Sequence, residues 1–184
     1  MKILFILNAR TQSDMQNFLL EGVLALSKHR IEPVFFIQGK DSELEKKLKG
    51  FRVRPWSDDA YIIPESGKIS SLCHALKKAP YVLTRLKEEQ PDGVLACDSS
   101  LLTLLSPFCY MSRIPLFWVQ ETLWQKNYRA GALLGGYTPF ILTVSQEIYT
   151  SLPPFLLEKA RELPPKTDKI SAKNYVEAVF KGCI

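Results

Sequence analysis

The chain has 184 residues, of which 46% are hydrophobic and 23% charged, and this composition is typical of one globular domain with a single core. Its net charge of +5 favours anionic partners, but it lacks the dense basic runs of nucleic-acid-binding proteins, so we predict no nucleic-acid partner. No apolar run is long enough to span a bilayer, which argues against a transmembrane helix.

Cysteine and histidine are sparse in this sequence. The chain has four cysteines without C-x-x-C spacing and two histidines, which argues against a zinc site or a disulfide framework. We therefore predict reduced thiols, no metal and no cofactor, in a cytoplasmic protein.

The first third of the chain predicts three strands separated by two helices. The strands are expected at residues 2–7, 31–37 and 51–54, and the helices at 13–28 and 41–49. Gly50 is predicted to stop the second helix. Because Pro55 cannot continue a hydrogen-bonded ladder, the third strand is predicted to end before it and to lie near a sheet edge.

A long helix is predicted at residues 69–89, after an irregular stretch at 56–68. Pro80 is expected to kink this helix or to divide it near Ala79. Its basic side chains allow two interpretations: peripheral contact with an anionic membrane, or a helix packed on the sheet with its charges in solvent. These side chains are Lys77, Lys78, Arg85 and Lys87.

The centre of the chain predicts a βαβ unit. Two short apolar runs, 94–97 and 114–119, do not alternate with polar residues, as is typical of parallel strands buried on both faces. Residues 99–110 between them have a broad apolar helical face. Ligands of open parallel sheets bind beyond the carboxyl ends of the strands, so we place the candidate site after these two strands.

The last third predicts a sixth strand at residues 140–144 and a helix that begins after Ser145. Two proline pairs then break the tail before a final helix at 170–180. The predicted fold class is α/β, a three-layer Rossmann-like domain with a mostly parallel sheet of six or more strands. We predict that residues 1–152 form this domain and that 153–184 form a proline-broken tail whose terminal helix packs back on it.

The strand ends supply the candidate substrate-binding residues, and each has a plainer alternative role. Glu121 can bind a ligand hydroxyl or act as a base, but it can also be a carboxylate at a helix start or on the surface. Gln120 can hydrogen-bond a sugar hydroxyl. Trp124 can stack on a sugar face, whereas Trp118 lies inside a strand and is expected in the core. The remaining candidates, which can bind sugar or phosphate or merely cap a helix or lie in solvent, are Asn8, Arg10, Asp98, Ser99 and Ser100.

Three segments, in this order, resemble the N-terminal, acceptor-side domain of retaining GT-B glycosyltransferases of the family 4 type. They are Gln90-Pro91-Asp92-Gly93-Val94-Leu95, Arg113-Ile114-Pro115-Leu116-Phe117 and Leu142-Thr143-Val144-Ser145-Gln146-Glu147. The resemblance covers about residues 1–152. It implies transfer of a sugar from a nucleotide donor to a glycan or lipid-linked acceptor, with the nucleotide sugar held by a second domain.

The sequence departs from that family at three points. The loop after the first strand, 8–14, has no glycine to let the backbone approach a donor phosphate. Gln120 stands where the family usually has a histidine, although the acidic residue is kept as Glu121. The residues after Ser145 are too few for a second α/β domain.

We therefore expect the acceptor-side half of a nucleotide-sugar-dependent glycosyltransferase that is inactive without a donor-binding domain. Two alternatives stay open: a non-catalytic subunit of a split two-chain glycosyltransferase, and a flavodoxin-like binding module. The expected location is cytoplasmic and peripheral to the inner face of the membrane.

Overall fold

The computed structural model describes residues 1–8, 14–26, 31–38, 42–56, 80–97, 99–124, 140–162 and 172–181. The chain divides into two compact units, Met1–Tyr61 with Pro164–Ile184, and Ile62–Leu163. Elements are numbered in chain order below. The predicted domain division at residue 152 stays a prediction.

The described part of the first unit contains three strands and three helices. They are β1 (Lys2–Asn8), α1 (Asp14–Leu26), β2 (Glu32–Gln38), α2 (Ser42–Lys47), β3 (Arg52–Trp56) and α7 (Ala172–Lys181). The strand order is β3-β2-β1, and both pairings are parallel.

The second unit contains four strands and four described helices. They are α3 (80–89), β4 (Gly93–Ala96), α4 (Ser99–Met111), β5 (Leu116–Gln120), β6 (Phe140–Thr143), α5 (Gln146–Ser151), α6 (Pro154–Leu157) and β7 (Ala160–Glu162). The order is β4-β5-β6-β7, again with parallel pairings. Seven parallel strands with flanking helices confirm the predicted Rossmann-like α/β fold class.

The core of the first unit is built on the apolar run of β1. Ile3, Leu4 and Leu7 are completely buried, and Phe5 contacts Phe35 of β2 edge to face at 5.9 Å between ring centroids. A strand of a parallel sheet is covered on both faces, which is why the run does not alternate with polar residues.

Helix α7 packs on α1 of the same unit at a glycine. A Cβ added to Gly22 would overlap the carbonyl oxygen of Ala172 and Cγ2 of Val176, and Val176 is itself buried. Gly22 therefore allows the two helices to approach more closely than any larger residue would permit.

The prediction that the third strand ends before Pro55 is wrong, although its position at the sheet edge is confirmed. Pro55 lies inside β3, in register with Ile37 of β2, and β3 is the last strand in the order. An edge strand tolerates proline, because the missing N–H group can face the unpaired side. Gly50, with φ of 95°, follows α2 as the predicted stop.

In the second unit, every residue of β4 and β5 is buried. Trp118 is completely buried in β5, as predicted, and Phe117 stacks on Phe140 of β6 with ring centroids 5.2 Å apart. Strand β7 was not predicted. Its three residues are too few to show a strand pattern, and they lie between two proline pairs.

The described part of the predicted basic helix is α3. Arg85 is partly buried there; its Nη1 donates to Oε2 of Glu88 at 2.7 Å, and its guanidinium lies 5.2 Å from the Tyr81 ring centroid. Lys87 is exposed, whereas Lys77, Lys78 and the predicted break near Ala79 lie outside the described residues. None of the helices that the structure describes is both long and apolar enough to cross a membrane.

Candidate functional site

The candidate site lies at the carboxyl ends of the strands in the second unit. Because all four strands are parallel, the residues that end or follow them share one sheet edge. We call this the carboxyl edge and define it as residues 97, 120–124, 143–147 and 162. Register places Gln120 beside Thr143, and Thr143 beside Glu162.

Gln120 is buried at the end of β5, and its amide is oriented by the segment that follows. Its Nε2 donates to the carbonyl oxygen of Thr122 at 2.7 Å and lies 3.4 Å from the Thr122 hydroxyl. Since one amide N–H is used inside the protein, a sugar hydroxyl can be bound by the amide oxygen as an acceptor or by the second N–H as a donor.

Glu121 is the next residue along the chain and is half-buried. Its Oε1 is shielded from solvent, while Thr122 and Leu123 beyond it are exposed. A carboxylate in this setting can accept hydrogen bonds from the hydroxyl groups of a ligand at the strand end.

Trp124 is half-buried and is held from two sides. Its ring meets Trp118 at 5.9 Å between centroids with an interplanar angle of 63°, an edge-to-face contact. Its backbone N–H donates to Oγ of Ser151 at 2.9 Å, and that hydroxyl donates in turn to the carbonyl oxygen of Ile148 at 2.7 Å. Helix α5 thus fixes the backbone position of the aromatic side chain proposed to stack on a sugar.

Strand β6 contributes a buried hydroxyl and a helix cap to the carboxyl edge. Thr143 is completely buried, with Oγ1 3.4 Å from the carbonyl oxygen of Arg161. Ser145 is the N-cap of α5, and its hydroxyl accepts from the N–H of Ile148 at 3.3 Å. The prediction that a helix begins after Ser145 is confirmed.

The structure brings together three of the predicted site residues: Gln120, Glu121 and Trp124. Arg10 and Asp98 lie outside the described residues. Asn8 ends β1 and Ser99 and Ser100 begin α4, but their side chains are outside what the structure describes. The substrate-binding roles of all eight candidate residues stay predictions.

Six polar residues of the carboxyl edge were not among the predicted substrate-binding residues: Thr122, Thr143, Ser145, Gln146, Glu147 and Glu162. Thr143 is the only polar residue in the run Phe140–Thr143, and a polar residue at the end of a buried strand is the signal that could have identified it. Glu162 had no such signal, because β7 itself could not be recognised.

The described carboxyl edge is acidic. Glu121, Glu147 and Glu162 lie on it, and none of its residues as defined above is lysine or arginine. Carboxylates and a buried amide suit a ligand with many hydroxyl groups, whereas the carboxylates repel a diphosphate.

No protein-family model and no curated protein matches the chain. Solved structures do match, and one is HepE of Anabaena in complex with UDP. The TM-score is 0.65 and the sequence identity 15%, and the match covers 91% of this chain and 45% of that one.

Two further matches cover similar shares of this chain and of the matched chain. The apo form of WaaB, a lipopolysaccharide outer core galactosyltransferase, aligns with a TM-score of 0.58 and 16% identity over 92% of this chain and 50% of that one. MurG of Acinetobacter baumannii aligns with a TM-score of 0.60 and 11% identity, over 91% and 47% respectively.

The group of similar structures also includes an epimerase. UDP-N-acetylglucosamine 2-epimerase from Rickettsia bellii aligns with a TM-score of 0.58 and 13% identity, over 98% of this chain and 47% of that one. The chain therefore spans about half the length of these proteins, and it has the GT-B-like fold that they share.

Proposed function

We propose that the chain is the acceptor-side half of a nucleotide-sugar-dependent glycosyltransferase and that it acts only with a donor-binding domain. The observation that carries the proposal is the extent of the structural match, which covers 91% of this chain but 45% of HepE. Structures of HepE hold UDP, UDP with glucose, and UDP-glucose. The order of the three segments that resemble retaining family 4 enzymes supports the assignment to the N-terminal half.

The charge of the carboxyl edge supports a role in acceptor binding. A nucleotide sugar brings a diphosphate, which requires cations or backbone N–H groups, and the described edge has three carboxylates instead. An acceptor sugar brings hydroxyl groups and an apolar ring face, which suit Gln120, Glu121 and Trp124. The diphosphate would be held by a second domain or by the partner chain of a split enzyme.

Glu121 is the residue that we assign closest to the reacting hydroxyl. As a half-buried carboxylate at a strand end, it can accept the hydrogen bond of the acceptor hydroxyl and orient it. The protein is then expected at the cytoplasmic face of a membrane when its acceptor is lipid-linked, with peripheral contact to anionic lipid.

Saturation-transfer NMR on the purified chain tests acceptor binding without requiring turnover. We expect methyl glycosides to receive saturation and UDP to receive little, and we expect Glu121→Gln to weaken the glycoside signals. Glu158→Gln is the matched control, because it removes an exposed carboxylate at the opposite end of β7. Strong UDP signals with weak glycoside signals would assign the chain to the donor side and contradict the proposal.

Turnover provides a second test. The chain alone is expected to form no product from nucleotide sugars and acceptors, because stabilising the leaving diphosphate is usually a large part of catalysis. Sustained product formation by the chain alone, abolished by Glu121→Ala, would contradict the requirement for a donor-binding domain.

A further inference from the structure

An open groove lies at the other edge of the second unit, where its strands begin. We call this the amino edge. The groove has a volume of about 500 Å³ and is formed where α3 ends and where the chain passes from α4 to β5. Its lining residues are Leu86, Lys87, Gln90, Pro91, Ser112 and Ile114.

Two residues at this groove have a backbone conformation that normally favours glycine. Gln90 has φ of 44° and Arg113 has φ of 56°, and they are the non-glycine residues with positive φ in the described part of the chain. Arg113 occupies the position after α4 at which glycine is the usual choice. Ile114 N–H donates there to the Cys109 carbonyl at 2.9 Å, and Arg113 N–H to that of Tyr110 at 3.1 Å.

A left-handed residue other than glycine costs folding free energy. The sequence nevertheless has two long polar side chains at these positions. Gln90 lines the groove, and Arg113 lies between two of its lining residues, Ser112 and Ile114. A role for the exposed Arg113 side chain would explain why glycine is absent there.

Apolar and basic side chains are exposed beside the groove. Tyr110 and Met111 are 63% and 69% exposed, more than any other large apolar side chain that the structure describes. Lys87 and Arg113 are exposed as well, and the exposed acids nearby in sequence are Glu88 and Asp92. The pairing of Arg85 with Glu88 leaves no net charge from those two residues.

We propose that the amino edge docks on an anionic phospholipid membrane. Lys87 and Arg113 contact lipid phosphates, Tyr110 lies at the level of the headgroups, and Met111 enters the acyl layer, while the groove accommodates part of a lipid. This proposal deepens the peripheral membrane contact proposed above and gives it a surface other than the basic helix face predicted from sequence. The carboxyl edge, at the other end of the strands, then faces the aqueous side, where it can take the sugar end of a lipid-linked acceptor that extends away from the bilayer.

Co-sedimentation with vesicles tests the docking surface. The full chain is incubated with phosphatidylcholine vesicles that contain or lack phosphatidylglycerol. We expect binding only to the anionic vesicles, and we expect Arg113→Gly to weaken it by about fivefold, the effect of one cation near the surface. The double variant Tyr110→Ser with Met111→Ser is expected to weaken it at least as much.

Matched controls test whether vesicle binding depends on this surface, rather than on nonspecific apolar contact or on affinity for free phosphate. Leu123→Ser and Phe155→Ser remove exposed apolar side chains elsewhere and are expected to leave vesicle binding unchanged. Inorganic phosphate is expected to compete no better than sodium chloride of equal ionic strength. Equal losses in the control variants, strong competition by phosphate, or equal binding to neutral vesicles would each overturn the proposal.

Thermal unfolding shows whether a variant loses vesicle binding because it is misfolded. Because glycine relieves the left-handed strain, Arg113→Gly should raise Tm by about 2–4 °C while it weakens vesicle binding. Weaker binding with a lower Tm would attribute the effect to misfolding and overturn the assignment of Arg113. Vesicle binding requires no acceptor and no donor, so its failure is distinguishable from failure of the proposed transferase role.

Discussion

The two edges of the sheet in the second unit differ in charge and in how their side chains are held. The carboxyl edge is acidic, and two hydrogen bonds hold it: the Gln120 amide donates to the Thr122 carbonyl, and the Trp124 N–H donates to the Ser151 hydroxyl. The amino edge exposes Tyr110 and Met111 next to cations, and its turns carry backbone strain at Gln90 and Arg113. One edge therefore has the properties of a pre-organised ligand site, and the other those of a contact surface.

The largest change in the free energy of unfolding is expected at Trp118, whose ring packs against Trp124 of the carboxyl edge. Trp118→Ala should lower the free energy of unfolding by about 3–5 kcal/mol, because it leaves a large cavity in a fully buried position. Trp124→Ala, at a half-buried position in contact with the same ring, is the comparison and should cost clearly less. Urea unfolding measures both, and equal losses would contradict the view that the edge depends on the buried ring.

The next effect concerns the interior behind the amino edge. Burial raises the pKa of the Cys109 thiol to about 12, from an ordinary value of 9.0. The folded state holds this proton more tightly than the unfolded state, so the contribution to stability is full below about pH 9 and is lost as the pH rises toward 12.

Between about pH 8 and about pH 10, the wild type should lose about 1.4 kcal/mol more than Cys109→Ala under reducing conditions. Unfolding in urea at both pH values measures the difference. If the free energy of unfolding had the same pH dependence in both proteins, Cys109 would be accessible to water. The interior beneath the amino edge would then not be sealed from solvent.

An effect of similar size tests how the carboxyl edge is held. Ser151→Ala removes the acceptor for the Trp124 N–H and should cost about 1–2 kcal/mol, while Ser151→Thr should restore most of the loss. Thr150→Ala is the control on the same helix. Its hydroxyl donates only within α5, to the Glu147 carbonyl at 3.0 Å, and it is exposed, so the change should be near zero. Equal costs at the two positions would remove the special role of Ser151.

The contrast between the edges shows what the sequence could predict. Buried strands were identified from their apolar runs, and parallel pairing then placed Gln120 and Glu121 at a common edge. Gln120 was predicted as a ligand-binding amide, and the structure adds that its nitrogen is used by Thr122, a local contact with no sequence signal. Strand β7 was missed because three residues show no periodicity.

The amino edge was harder to foresee for a different reason. The positive φ of Arg113 is imposed by the hydrogen bonds that end α4, and arginine at that position gives no warning. Pro55 shows the same limit, since it can lie inside β3 only because that strand is at the edge of the sheet. In both cases tertiary context overrides the local preference of the residue.

The smallest expected change is an increase in the free energy of unfolding, whereas the changes above are decreases. It distinguishes backbone strain from a function of the side chain at the amino edge. Arg113→Gly should raise the free energy of unfolding by about 1 kcal/mol, because glycine adopts positive φ without a steric cost. Gly50 provides the mirror experiment: it has φ of 95° and no atom within 4 Å of an added Cβ, so Gly50→Ala should lose about 1 kcal/mol through backbone strain alone. Urea unfolding of both variants measures whether each change raises or lowers the free energy of unfolding. If Arg113→Gly also lost stability, the arginine side chain would be contributing to the fold, and its presence at a glycine position would need no membrane to explain it.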